Sequence, residues 1–242
     1  GEFFFFFLGM ISQWPSQLGL AATFCPETVK RFGEILADEY RGLGIVTALS
    51  PQIDLASEPR WNRYNGTFGE GTKLTVDLAR AYVDGCQTTE ESPDGWGSRS
   101  VNAMVKHWPG GGTGEGGRDA HFSYGKYAVY PGENFEEHLK PFTEGAFRLD
   151  GKTGQASSVM PYYTISYGID KKYGENVGNS YSKYIVQELL RDTCGYDGVV
   201  CTDWGITDTC SSDEMISGMN WGTAHLSVEE RHYKALMAGV DQ

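Results

Sequence analysis

Four short segments of the chain combine carboxylate, guanidinium, imidazole and aromatic side chains directly after apolar runs of strand length. In parallel α/β proteins the reacting groups lie at the carboxyl ends of the strands, so residues in such positions are candidates for chemistry. A Lys next to a His would be costly to bury without partners, which predicts that both face a polar cleft. The four segments are residues 58–63, 106–112, 160–163 and 202–204.

The apolar runs before these segments alternate with segments of helical period, which is typical of βα units on a parallel sheet. Within residues 72–87, for example, Leu74, Leu78 and Tyr82 recur at helical spacing. Ser227 and Glu230 have the spacing of a capping box before the last helix. We predict strands over residues 3–8, 45–53, 101–107, 157–161 and 198–203, and helices over residues 26–42, 72–87, 135–149, 181–193 and 228–238.

These elements make about five βα units, and residues 239–242 begin a possible sixth strand. A closed (β/α)8 barrel needs eight such units in about 250 residues or more. We therefore expect an α/β fold, a (β/α)8 TIM-barrel-like domain that is incomplete in this chain. In domain terms, residues 1–242 would form one partial barrel within a longer polypeptide.

The charge balance limits the partners of the chain. It has 242 residues, with 20 Lys and Arg against 32 Asp and Glu, which gives a formal net charge of −12. Because clustered Lys and Arg are needed to neutralise a nucleic acid backbone, we expect no nucleic acid partner, whereas neutral ligands stay open. No apolar run approaches the roughly 18 to 20 residues that cross a bilayer, so we expect no membrane partner. The compartment stays open, with a periplasmic or extracellular location as one alternative.

We expect neither a cofactor nor a metal. The loop at residues 110–117 has Gly at six of eight positions but lacks the GK[ST] ending of a phosphate-binding loop, so its glycines predict a tight turn over the cleft. The five cysteines show neither a CxxC pair nor metal-ligand spacing. We expect buried free thiols; a disulfide of Cys201 with Cys194 or with Cys210 is the alternative in an exported protein.

The four segments resemble motifs of the N-terminal barrel domain of glycoside hydrolase family 3, a family of β-glucosidases, β-xylosidases and related exo-acting enzymes. Residues 59–63 (PRWNR), followed by FGE at 68–70, are similar to the family's PRWGR segment, with Asn62 in place of Gly. Residues 106–110 (KHWPG), 159–163 (VMPYY) and 200–204 (VCTDW) are similar to its KHF/W, VM-x-x-Y and V-x-SDW segments. The similarities follow the family order over nearly the whole chain.

The resemblance implies a site that binds and cleaves a glycoside. Asp203 falls at the position of the family's nucleophile, which attacks the anomeric carbon. From the residues alone, a helix cap is the alternative for Asp203. The resemblance also places Arg63, Lys106 and His107 against the hydroxyls of the terminal sugar, and Tyr163 near the nucleophile.

Three further residues are candidates for substrate contacts. Trp204 offers an apolar platform for a sugar face, with core packing as its alternative. Met160 would be a wall of the same subsite, and core packing is equally compatible with its type. Arg118 would reach the same hydroxyls as Lys106. Arg60, by contrast, is predicted to be a structural residue that pairs with Glu58.

By this resemblance the chain is part of an exo-acting retaining β-glucosidase that releases terminal β-D-glucose from β-linked oligosaccharides or other glycosides. A retaining enzyme needs a second carboxylic acid about 5 to 5.5 Å from the nucleophile. In most of the family it comes from a second domain after the barrel, so we expect that domain, absent from this chain, as the partner. The family's Asp that binds the terminal sugar is also not found.

Two alternatives for the function stay open. The β-N-acetylglucosaminidases of the same family carry an Asp-x-His pair whose His is the acid, and Asp119 and His121 lie in the corresponding loop. Against this branch, Gly111 stands where it has a second His, and the spacer is longer. The other alternative is a catalytically silent carbohydrate-binding piece.

Overall fold

The structure is a computed structural model, and it describes residues 11–210 and 218–242. The predicted strand at residues 3–8 lies outside the described residues. The helices are α1 (Gln17–Ala21), α2 (Pro26–Gly42), α3 (Thr72–Gln87), α4 (Phe135–Lys140) and α5 (Val228–Met237), with π-helical segments at Pro141–Ala146 and Tyr184–Thr193. The strands are β1 (Thr47–Ala48), β2 (Asn102–Trp108), β3 (Tyr127–Ala128), β4 (Ser158–Pro161), β5 (Ile165–Ser166) and β6 (Val199–Val200). Short 3-10 turns cover Tyr64–Gly66, Glu115–Gly117, Ser123–Gly125 and Asn179–Tyr181.

The main sheet is parallel and has the order β1-β2-β4-β6. Each strand lies beside the next main-sheet strand along the chain, which is the arrangement that successive βα units produce. The end of the chain extends this sheet, because Asp241 N–H donates to the carbonyl of Val200 at 2.9 Å and Thr202 N–H donates to the carbonyl of Gln242 at 2.7 Å. A separate parallel pair, β3 with β5, was not predicted.

One face of the main sheet packs against the helices. Val105, Val159 and Val200 of three neighbouring strands belong to the same core cluster as Phe32 of α2 and Tyr82 of α3. Each fully buried Val contributes about 1.5 to 3 kcal/mol relative to an exposed one. This packing fixes the strand directions and therefore the positions of the residues that follow each strand.

Close helix packing explains two glycines inside helices. A Cβ on Gly33 of α2 would lie 2.6 Å from the carbonyl oxygen of Tyr82, and one on Gly85 of α3 would overlap the carbonyl of Lys30. Only Gly therefore lets α2 and α3 approach to this distance. The contact holds the helix layer over the sheet.

Several predicted elements are confirmed with their bounds. Helices α2 and α3 cover the predicted ranges 26–42 and 72–87. Helix α5 begins at Val228 as predicted, and Ser227 and Glu230 form the capping box. Strand β2 is shifted by one residue at both ends from the predicted range 101–107, and β4 begins one residue later than the predicted range 157–161.

Four predicted elements are different in the structure, and one of them is the strand predicted at 198–203, which is reduced to β6. The helix predicted at 135–149 is α-helical only to Lys140, because Pro141 has no N–H to donate, and it continues as the π-helical segment Pro141–Ala146. The helix predicted at 181–193 is a π-helix from Tyr184 to Thr193. The strand predicted at 45–53 is reduced to β1 and a single bridge from Gln52 to Lys106. Pro51 interrupts it, since proline cannot donate to the ladder.

The structure also tests the other general expectations. All five cysteines lie in the described ranges and none forms a disulfide; Cys86 and Cys201 are buried, whereas Cys25, Cys194 and Cys210 are half-buried. No helix in residues 11–210 and 218–242 is both long and apolar enough to cross a membrane. Over the same ranges there is no group of three His, Cys, Asp or Glu side chains that could hold a metal ion.

Candidate active site

The carboxylate of Asp54 is the buried centre of the candidate site. Asp54 follows the bridge between Gln52 and Lys106, which brings it beside the end of β2. Its Oδ2 lies 2.8 Å from Nδ1 of His107, and its Oδ1 accepts the backbone N–H of His107 at 3.0 Å. The same Oδ1 accepts the N–H of Gly111. One carboxylate therefore orients the His107 ring and the start of the glycine-rich loop.

The electrostatics of this pair place the proton of His107 on Nδ1. Burial, and after it the charge of Arg63, lowers the pKa of His107 to about 4, although Asp54 acts in the opposite direction. Burial alone would raise the pKa of Asp54, but the imidazole and the two backbone donors hold it below its usual value. Near neutral pH an ionised Asp54 therefore accepts the Nδ1 proton of a neutral imidazole, whose Nε2 keeps a lone pair.

The guanidinium of Arg63 lies against that lone pair. Its Nη2 is 3.2 Å from Nε2 of His107, and its Nη1 is 3.4 Å from the hydroxyl of Tyr162. The rings of His107 and Tyr162 pack with their centroids 4.4 Å apart. Arg63 and His107, which are 44 positions apart in the sequence, thus form one polar wall, supported by Tyr162.

Asp203 faces this wall from the end of β6. It is 6% exposed, and its Oδ1 accepts the backbone N–H of Trp204 at 2.9 Å. Its Oδ2 is 3.9 Å from Nε2 of His107 and has no hydrogen-bond partner among the described residues. A buried carboxylate oxygen without a donor is rare in folded proteins, so its presence points to a reactive or ligand-binding role.

Tyr163 holds the backbone carbonyl of Trp204, the residue after Asp203. Its hydroxyl donates to the carbonyl oxygen of Trp204 at 2.8 Å. Burial, and after it the charge of Asp203, raises the pKa of Tyr163, so the hydroxyl keeps its proton. The Trp204 side chain is 52% exposed, which leaves its ring accessible at the edge of the site.

Lys106 and Met160 lie on paired strands next to this cluster. Lys106 is half-buried and precedes His107, and its backbone is in register with Met160. Met160 itself is buried with Met104 and Cys201 in a small apolar cluster. Met160 therefore packs in the core, which is the alternative that its residue type allowed.

The structure does not bring Arg118 into the cluster. Its side chain is more than half exposed and pairs with Glu115 at 3.9 Å. The predicted pairing of Arg60 with Glu58 is confirmed, at 2.6 Å, and lowers the pKa of Glu58 to about 2. Neither arginine adds to the polar wall.

The glycine-rich loop turns closely over the buried carboxylate. A Cβ on Gly111 would lie 2.7 Å from the ring of Tyr162, and one on Gly112 would overlap the carbonyl oxygen of Leu55. Gly110, Gly116 and Gly117 have positive φ angles. These positions explain the density of glycine without a bound phosphate.

Sequence reasoning missed Asp54 and Tyr162. Both have the position after a predicted strand that identified the other candidates. Asp54 directly follows the predicted strand at 45–53, and Tyr162 lies within the segment 160–163. The motif comparison directed attention to Arg63 and Tyr163 instead. Only the folded arrangement shows that Asp54 orients His107 and that Tyr162 supports Arg63.

Residues 7–242 match the family model of the glycosyl hydrolase family 3 N terminal domain, and the chain therefore belongs to this family. It is 44% identical over 235 residues to beta-glucosidase C of Emericella nidulans, which covers 97% of this chain and 36% of that protein. It is 42% identical over 247 residues to the periplasmic beta-glucosidase/beta-xylosidase of Dickeya chrysanthemi, with the same two coverages of 97% and 36%. The chain thus spans about a third of the length of these curated relatives.

Solved structures agree with this assignment. The beta-glucosidase from Listeria innocua in complex with glucose superimposes with a TM-score of 0.77 at 25% sequence identity, covering 95% of this chain and 28% of that one. The expected fold class, an α/β TIM-barrel-like domain, is therefore confirmed.

Proposed function

We propose that this domain carries the nucleophile of an exo-acting retaining β-glucosidase. The observation that supports it best is the Oδ2 atom of Asp203, which is buried, lacks a hydrogen-bond donor among the described residues and faces the wall of His107 and Arg63. Relatives of this chain at 42 to 44% identity, over 97% of its length, are named beta-glucosidases. The reaction is the hydrolysis of a terminal β-D-glucoside.

In the first step, Oδ2 of Asp203 attacks the anomeric carbon and forms a covalent glycosyl ester. The bond from this carbon to the leaving oxygen breaks, and its electron pair stays on that oxygen, which takes a proton from an acid. We expect this acid from a second domain of the longer polypeptide. Water then cleaves the ester with the same acid, now ionised, as the base.

Arg63 and His107 serve as binding groups in this proposal. The guanidinium donates to sugar hydroxyls, and Nε2 of the neutral His107 accepts from one. Lys106 adds a donor from the end of β2, and the exposed ring of Trp204 packs against a sugar face. Because Asp54 and Tyr162 hold this wall in place, the hydroxyls of glucose meet groups that are already oriented.

A second candidate activity is that of a β-N-acetylglucosaminidase. It is favoured by the contact of His121 Nδ1 with Asp119 Oδ1, at 2.6 Å, in the loop where that branch has its acid. In this case His121 would protonate the leaving oxygen. The relatives with the highest identities above do not carry this name, so we rank it second.

Covalent trapping tests the proposal. The complete protein is incubated with a 2-deoxy-2-fluoro-β-glucoside that has a dinitrophenyl leaving group, and the labelled peptide is identified by mass spectrometry. We expect a single fluoroglucosyl label on Asp203, with no label in Asp203→Asn. Asp77→Asn, at a half-buried position on α3 where the side chain pairs with Lys73, is the control and should be labelled like wild type. A protein that binds glucose and takes no label would be a silent binding domain.

A further inference from the structure

The loop between β2 and β3 contains an Asp–His pair that the proposed reaction does not use. Oδ1 of Asp119 accepts both the backbone N–H of His121, at 2.8 Å, and its Nδ1–H, at 2.6 Å. Two bonds from one oxygen to the same residue fix the plane of the imidazole. Both side chains are largely buried, so the loop is ordered where it carries them.

Asp119 stays ionised in this arrangement. Burial would raise the pKa of Asp119, but the hydrogen bonds from His121, with the amide of Asn62 beside them, lower it to about 2. Asn62 stands where the family motif has Gly, so the loop after β1 is adapted to the same pair. The ionised Asp119 accepts the hydrogen bond from His121 Nδ1, which fixes the orientation of the ring.

The other side of the imidazole packs on Tyr163. The two rings meet edge to face with their centroids 4.9 Å apart. The hydroxyl of Tyr163 donates to the carbonyl of Trp204 at 2.8 Å, while the N–H of Trp204 donates to Oδ1 of Asp203. The backbone of Trp204 therefore links Tyr163 to the carboxylate that we propose as nucleophile.

The loop is also anchored from the segment that follows β6. The indole N–H of Trp221 donates to the carbonyl of Ala120 at 2.8 Å, and both residues are buried with Tyr163 in one apolar cluster. The residue between Asp119 and His121 is thus held independently of the pair. The loop after β2 contacts residues that follow β4 and β6, at the same end of the sheet.

We infer that Asp119 and His121 are positioning residues that hold Tyr163, and through it the Trp204 backbone, so that Oδ2 of Asp203 stays aimed at the substrate. This role rests on the proposed function of Asp203. It differs from that of an acid, because the imidazole acts by its packing on Tyr163 and transfers no proton.

Kinetics of the complete protein separate the two roles. His121→Ala should slow both a nitrophenyl and a methyl β-glucoside by a similar factor of about 10 to 100, the range expected for a misplaced reacting group. His121→Phe keeps a ring against Tyr163 but cannot donate a proton, so it should restore activity to within about threefold of wild type. An acid would give the opposite pattern: both variants would collapse selectively on the methyl glucoside.

A double-mutant comparison tests the path through Tyr163. Tyr163→Phe removes the hydrogen bond to Trp204, and adding His121→Ala to it should cause little further loss, because both changes act on the same contact. His225→Ala, at an exposed histidine in the segment before α5, is the matched control and should leave the rate unchanged. Multiplicative losses in the double variant would contradict the inference.

A structural readout keeps this test separate from that of the function. In a crystal structure of the complete His121→Ala protein, we expect the hydroxyl of Tyr163 to move out of hydrogen-bond range of the Trp204 carbonyl. A distance that stays at 2.8 Å would overturn the inference, whatever the activity. Absence of the label on Asp203 in wild type, with the Tyr163 hydroxyl displaced in the variant, would instead refute the proposed function alone.

Discussion

The two carboxylate oxygens of Asp203 have different surroundings, and this difference is the main chemical feature of the site. Oδ1 is held by the N–H of Trp204, whereas Oδ2 has no donor among the described residues and lies 3.9 Å from Nε2 of His107. Since a neutral His107 carries its proton on Nδ1, Nε2 cannot donate to Oδ2. The electron pairs of Oδ2 are therefore available to a substrate.

The first prediction concerns this carboxylate. Asp203→Asn keeps the shape of the side chain and removes the nucleophilic charge, so we expect kcat of the complete enzyme on a β-glucoside to fall by at least a thousandfold, with unchanged thermal stability. Each tenfold loss corresponds to about 1.4 kcal/mol of barrier. A variant that keeps more than a tenth of wild-type kcat would rule out Asp203 as the nucleophile.

The second prediction follows from the low pKa of His107, about 4 in the folded protein against 6.5 for a free side chain. Between these values the unfolded chain binds a proton that the folded protein excludes. Stability is therefore lost as pH falls from 6.5 to 4, with a slope from this residue of up to about 1.4 kcal/mol per pH unit. The pKa of Asp54 is also lowered, so the stability that Asp54 contributes is lost only below about pH 4.

Urea unfolding of wild type and His107→Asn at several pH values between 7 and 4 measures this contribution. Asn keeps an amide N–H near Asp54 and does not titrate, so its stability should depend less on pH in this window. Parallel stability curves for the two proteins would show that His107 is not the group responsible.

At the scale of elements, the parts with regular hydrophobic spacing were predictable. Helices α2 and α3 carry an apolar stripe, with Pro26 at the start of α2 and an uninterrupted period in α3, and their predicted bounds hold. The segment 45–53 has the composition of a strand, but Pro51 removes a donor from its middle. The π-helical form of Pro141–Ala146 depends on tertiary packing, so the local sequence pattern could not predict it.

The same distinction applies to the site. His107 lies near the end of β2 and Asp203 follows β6, and strand ends can be located from sequence; the structure places the His107 ring 3.9 Å from the Asp203 carboxylate. Arg118 lies in a loop without periodicity, so its direction could not be derived, and it pairs with Glu115. The part played by Asp54 depends on which strands are neighbours, and only the sheet order reveals it.

The third prediction concerns the glycine loop as an element. Gly112→Ala would push a methyl group into the carbonyl of Leu55, so the loop or the segment that contains Leu55 must shift. We expect a loss of about 1 to 3 kcal/mol of unfolding free energy, as for other overpacked positions, and reduced labelling of Asp203. Gly42→Ala, at the end of α2 with no atom within 4 Å of the added methyl, is the control and should be neutral or slightly stabilising. Equal stabilities of the two variants would contradict the close approach.

At the scale of the whole molecule, the π-helix Tyr184–Thr193 and the last residues of the chain are joined to the main sheet beside β6. Arg191 of the π-helix donates to the carbonyl of Gly198 and pairs with Asp241 at 2.7 Å, so one guanidinium ties the entry of β6 to residues 240–242. These residues in turn contact Thr202, next to Asp203. The position of Asp203 thus depends on contacts with residues up to Gln242.

The outer side of α5 carries an exposed apolar patch. Tyr233, Leu236 and Met237 are 66%, 59% and 60% exposed. Three large apolar side chains on neighbouring positions of one helix form a patch that soluble proteins usually cover. We propose that further βα units of the same polypeptide pack here, since the relatives are about three times as long as this chain.

Hydroxyl-radical footprinting of the complete protein tests this placement. Relative to the intrinsic reactivity of each residue type, Tyr233, Leu236 and Met237 should be protected several-fold more than Phe24, which is 74% exposed and lies between α1 and α2. The physical reason is that packed apolar side chains exclude the solvent radical. Leu236→Lys, which places a charge in the covered patch, should then lower the thermal stability of the complete protein, because an unpaired buried charge is unfavourable. Labelling of the α5 residues at the level of Phe24, with no stability change in Leu236→Lys, would mean that this face is open to water and would contradict the proposal.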